Sequence, residues 1–104
     1  MPTMINGGVD LAAATAKTVI RSTTGSGGTY DCTVLNRNAA STLIDMGIST
    51  DDNVLQTPTQ LVSQELLAPG KSLTFTRIVL KNNDYIVVQS SLVTVNAVAV
   101  GIDK

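Results

Sequence analysis

Residues 68–88 read APGKSLTFTRIVLKNNDYIVV, and the class of fold follows from their punctuation. Pro69 fixes one central dihedral of a type II turn and Gly70 supplies the positive one, so Ala68 to Lys71 turns the chain. The next nine residues alternate: Leu73, Phe75, Arg77 and Val79 oppose Thr74, Thr76, Ile78 and Leu80, the period of an extended strand over Ser72 to Leu80. Asn82, Asn83 and Asp84 turn the chain again into Tyr85 to Gln89. Turn, strand, turn and strand within twenty-odd residues is the rhythm of a sandwich or barrel.

The rest of the chain keeps that rhythm. Valine, isoleucine and threonine number 12, 7 and 14, so nearly a third of positions favour extended backbone and the expectation is all-β. Gly25 to Gly28 and Asn36 to Ala40 add further breaks. Strands are expected at Lys17 to Ser22, Thr29 to Leu35, Leu43 to Ile48 and Leu92 to Ile102, with a connection of hairpin length at Asn36 to Ser41. Thr50 to Thr57 reads as a solvated loop. Thr57-Pro58-Thr59-Gln60 carries a helix start signal, but Pro69 follows soon; a strand over Leu61 to Leu66 is preferred, with a short helical turn as the alternative. The last strand is apolar on both sides, Val93 and Val95 on one and Val98, Val100 and Ile102 on the other. Such a strand is either buried twice over or laid against a partner.

The expected architecture is one antiparallel β-sandwich, jelly-roll or Ig-like, of about seven or eight strands over residues 17–104, preceded by an extended arm over residues 1–16. A chain of 104 residues makes one core. Met4, Ile5, Val9 and Leu11 are the arm residues expected to bind a partner, either a neighbouring subunit or their own domain.

Composition excludes most chemistry. With a single cysteine, Cys32, and no histidine, there is no disulfide, no base for a serine or cysteine nucleophile, and no ligand set for zinc, haem or iron-sulfur. No cofactor and no enzymatic activity are expected. Asp51, Asp52 and Asn53 lack the spacing of a calcium loop. A net charge of -1 without basic runs gives no footprint for nucleic acid. The uncharged stretch from Tyr85 to Ile102 is interrupted by polar residues and alternates, so it reads as strands and no membrane is expected. Charged residues make up 14%, well under the roughly 25% of average domains. Either Ser, Thr and Asn keep the surface wet, or other subunits cover part of it.

Leu67 to Thr76, Ile78 to Ser91 and Thr94 to Ile102 together resemble a recurrent pattern: an L-x-P/A-G-x-x-L turn, then V-L-x-x-x-D-x-I-x-V, then a closing x-V-x-V-x-G strand. The chain resembles the small β-sandwich virion proteins of tailed bacteriophages, found as head decoration proteins or tail-associated modules. The resemblance implies a non-enzymatic virion protein on the capsid surface. Its partners would be the major capsid protein and copies of itself, as a homotrimer or other homo-oligomer. The alternative it implies is a tail or fibre module that binds a host glycan or joins tail parts. It carries over no catalytic residue.

Overall fold

The computed structural model describes residues 3–22 and 27–103, with side chains over 6–22 and 27–102. Eight strands follow one another: β1 (Thr3–Leu11), β2 (Lys17–Arg21), β3 (Gly28–Asn36), β4 (Thr42–Ser49), β5 (Gln60–Leu67), β6 (Ser72–Leu80), β7 (Tyr85–Ser90) and β8 (Val95–Asp103). They form two four-stranded sheets, in the orders β1-β8-β3-β6 and β2-β7-β4-β5. All the pairings between these strands are antiparallel; an isolated parallel bridge joins Ala13 to Ser90.

The order has a simple origin. β4 pairs β5, β3 pairs β6, β2 pairs β7 and β1 pairs β8, so the chain is one long hairpin of nested pairs. Rolling that hairpin brings β8 beside β3 and β7 beside β4. This is the jelly roll, and of the two sandwiches expected it is the one formed. The inner faces meet over Tyr30, Cys32, Val34, Ile44, Met46, Ile86, Val88, Val95, Ala97 and Ala99, all at most 1% exposed.

Two expectations about how the strands connect change. The segment expected to be an arm is part of the sandwich: Thr3–Leu11 pairs with β8 at nine consecutive positions. Gly7, Gly8 and the alanines at 12–14 blur its alternation, but its backbone still completes a sheet. The Asn36 to Ser41 connection is not a hairpin; it crosses from one sheet to the other. The turn at Pro69-Gly70 forms as expected, with Lys71 N–H donating to Ala68 O at 3.1 Å and Gly70 at φ 73°. It too crosses between sheets.

Asn36 holds these two crossovers together. Fully buried, it donates through Nδ2 to Ala40 O and Leu67 O and accepts from Asn38 N–H, each at 2.9 Å. Its own backbone exchanges bonds with Lys71 and Gly70. Asn36→Ala removes the side-chain partner of three backbone groups, those of buried Leu67, half-buried Asn38 and exposed Ala40, so urea unfolding is expected to show a loss of about 2–4 kcal/mol.

At Thr57–Thr59 the helix start signal yields one 3-10 turn, and β5 follows at once. Alternation also fails in β5 and β6, for a shared reason. Register shifts between Ile44 and Met46 and between Tyr30 and Cys32 leave Asp45 and Asp31 each opposite two residues. Asp45 Oδ1 accepts from Gln64 N–H and Asp31 Oδ1 from Arg77 N–H, both at 2.9 Å. Gln64 and Arg77 have φ of 52° and 57°. Each aspartate thus pins a left-handed residue of a bulge on an edge strand. In β6 the bulge reverses the alternation midway: Leu73 and Phe75 face inward before it, Ile78 and Leu80 after it, and Val79 turns out to solvent.

Candidate interaction surface

Several of the groups that could carry chemistry are occupied by structure. Cys32 is fully buried, and desolvation pushes its thiol up to about 12, so no nucleophilic thiolate forms near neutral pH. Asp45 and Asp31 hold the bulges, and Asp84 accepts from Lys81 N–H at 3.0 Å within its turn. Among the described residues no three His, Cys, Asp or Glu side chains are grouped to hold a metal.

Aromatic platforms for a sugar are also wanting among these residues. Tyr30 is 1% exposed in the core, Phe75 is half-buried, and half-buried Tyr85 has the Arg21 guanidinium carbon 5.4 Å from its ring centre.

The two sheets differ on their outer faces. Across β2-β7-β4, the chain covers itself. Val87 lies between Thr18 and Gly47 in register and points away from the core cluster, yet it is fully buried. The segment 50–59 explains this. It leaves β4 and is tied to β2 by Thr18 N–H donating to Asn53 Oδ1 at 2.8 Å and Asn53 N–H donating to Thr18 Oγ1 at 2.9 Å. On its way to β5, Thr59 Oγ1 donates to Ile48 O. Residues 50–54 and 57–59 are exposed, as expected of a solvated loop, and these bonds also tie the segment across the sheet as a strap.

Across β1-β8-β3-β6 there is no strap among the described residues. Val98, Val100 and Ile102 stand in a column along β8, at 43%, 45% and 47% exposure. Register aligns Ile102 with Thr29 and Thr29 with Val79, the last 67% exposed. Thr33 lies beside Val98 and shares a 3.0 Å hydroxyl bond with Thr74. A shallow hollow of about 320 Å³ opens between Thr29, Asp31, Val100, Gly101 and Ile102. A second, of about 270 Å³, runs behind Val79 between β5 and β6, floored by Phe75 and Ile78 and rimmed by Leu61. Val79, Val98, Val100 and Ile102 therefore share the outer side of this sheet, with the polar residues of β3 between them, while Leu66, Val54 and Val93, also exposed, lie outside it. Monomers rarely leave so much aliphatic surface on one side uncovered.

Of the expected partner-binding residues, Leu11 and Val9 belong to the core of their own domain: Leu11 is 3% exposed within it and Val9 packs against it. Met4 and Ile5 lie on the β1 backbone, and their side chains fall outside the described residues. The outer valines of the last strand were visible in the sequence; Val79 was not, because the β6 bulge moves it to this side.

No protein-family model matches the chain, and no curated protein matches it. Among solved structures the chain is similar to one titled "Cyanophage Pam1 capsid asymmetric unit", at 15% identity and a TM-score of 0.48, over 97% of this chain and 83% of that one.

Proposed function

We propose that this protein is a non-catalytic structural subunit of a phage particle that adheres to the outer surface of the capsid as a decoration or cement protein. The observation that carries the reading is the uncovered aliphatic face of Val79, Val98, Val100 and Ile102, on a sandwich whose other outer face is strapped by its own chain. The resemblance of residues 67–102 to small virion proteins of tailed phages supports the setting.

The mechanism is burial. The sheet is about 19 Å across four strands and about 30 Å along nine residues, which approaches the roughly 800 Å² per partner of a stable contact. Covering the three β8 side chains that are now about half exposed stabilises the complex by about 1 kcal/mol each. Repetition over a capsid lattice multiplies that adhesion when copies are linked. The low charge of the chain suits this, since few ions need desolvation.

The test is the combined variant Val98→Ser, Val100→Ser, Ile102→Ser, titrated onto undecorated capsids. Capsid affinity is expected to fall about a hundredfold, with the melting temperature of the free protein lowered but the chain still folded, since each of these side chains is already more than half covered by its own sheet. Unaltered capsid binding by the folded variant would remove this face from the contact.

A further inference from the structure

The four edge strands of the sandwich are β1 and β6 in one sheet and β2 and β5 in the other. Three are disabled for pairing. β5 and β6 are kinked by bulges held by Asp45 and Asp31. β2 has a register shift between Thr18 and Ile20, and its Thr18 N–H is taken by Asn53. Bulges and covering loops are the devices by which proteins keep edges from adding foreign strands. β1 has neither device: its nine residues pair with β8 without interruption. Alternate N–H and C=O groups along its other side face outward. β2 does not fill that side. It abuts β1 from within the sandwich, where the Val19 carbonyl occupies the space a Cβ on Gly7 would need.

We infer that the β1 edge pairs with the β1 edge of a second copy of this chain, antiparallel and centred on Gly7, joining two sandwiches through one continuous eight-stranded sheet. The sequence of the strand, TMINGGVDL, is complementary to itself in that register. Ile5 falls opposite the partner's Val9, Asn6 opposite the partner's Gly8 and Met4 opposite the partner's Asp10. Asp10 is the one charged residue of the strand, so its two copies sit at opposite ends and no like charges meet. Odd positions pair with odd ones, which keeps both cores on one side of the joint sheet. The contact is isologous, with a two-fold axis normal to the sheet. It places the two valine faces side by side, although the pairing itself requires no capsid.

Sedimentation equilibrium of the full chain over a concentration series tests this. The native protein is expected to be a dimer. Asn6→Lys with Gly8→Lys sets introduced lysines opposite one another twice across the joint, and should raise the dimer dissociation constant about tenfold. Asn6→Lys with Gly8→Glu sets opposite charges there and should restore it. A native monomer at every concentration, a trimer, or a dimer indifferent to both charge patterns overturns the inference. Should either variant fold poorly, amide exchange of the native chain decides: the outward amides of β1 gain protection with rising concentration, and exchange that ignores concentration is equally fatal. Capsid binding is read separately, so loss of the dimer and loss of docking are distinguishable.

Discussion

Gly101→Val is expected to abolish folding or to lower stability by at least about 3 kcal/mol, a large share of the roughly 5–15 kcal/mol that a domain possesses. Gly101 faces inward on β8 opposite Tyr30. A Cβ there would stand 2.2 Å from Tyr30 Cδ2, 2.4 Å from Thr29 O and 2.7 Å from Tyr30 Cα. Rotating the ring relieves only the first contact; the other two are backbone of the neighbouring strand, and that strand is held on both sides. Gly8 provides the control. It lies on the adjoining strand, but its added Cβ would meet only Ala97 O at 3.6 Å and the Val98 side chain at 3.7 Å, ordinary contacts. Gly8→Ala should change stability by less than about 1 kcal/mol, and even in the favourable direction, since glycine within a strand is itself costly. Denaturant titrations of the two variants check this, and similar losses in both would contradict the packing described around Tyr30.

The second large effect is alkaline. Burial keeps the Cys32 proton in place to about 12, against an ordinary value of 9.0. Between those values the folded chain binds more protons than the unfolded one, so stability falls as pH rises. The loss approaches about 1.4 kcal/mol per pH unit, and the full contribution is present below the lower value. The informative quantity is the difference from Cys32→Ala. That variant leaves a small cavity, about 1 kcal/mol at neutral pH, and its stability should decline less steeply above pH 9. Urea midpoints measured in parallel across this range should converge and then cross. Parallel curves would mean that the thiol ionises without unfolding the core.

Much of the fold is legible in residue order because a strand states its own period. β2 to β7 fall close to where alternation and turn residues put them; the last strand begins at Val95, three residues after the expected Leu92, and the double apolar character of β8 announces an outer face in need of cover. What alternation cannot state is which strands share a sheet. The Asn36 to Ser41 link is short enough for a hairpin, yet a buried asparagine side chain makes it a crossover. The bulges were hidden because Tyr30-Asp31-Cys32 and Ile44-Asp45-Met46 look like ordinary strands with one outward polar residue. One trace is readable: in β6 the inward apolar positions change from 73 and 75 to 78 and 80, a break in parity with Thr76 and Arg77 at its centre. Reading through that break put Val79 on the wrong side. β1 was obscured by its glycines, and the surface residues proposed from it belong in part to the core.

The nested hairpin also sets an order of events. Its innermost pair, β4 with β5, joins near neighbours, whereas β1 must find β8 from the other end of the chain. Contacts this remote in sequence are slow to form, on the order of milliseconds to seconds. On the ribosome Thr3–Leu11 therefore waits, unpaired, until the closing strand has been made. Whatever shields that ribbon in the interval governs how much of the newly made protein reaches its native state.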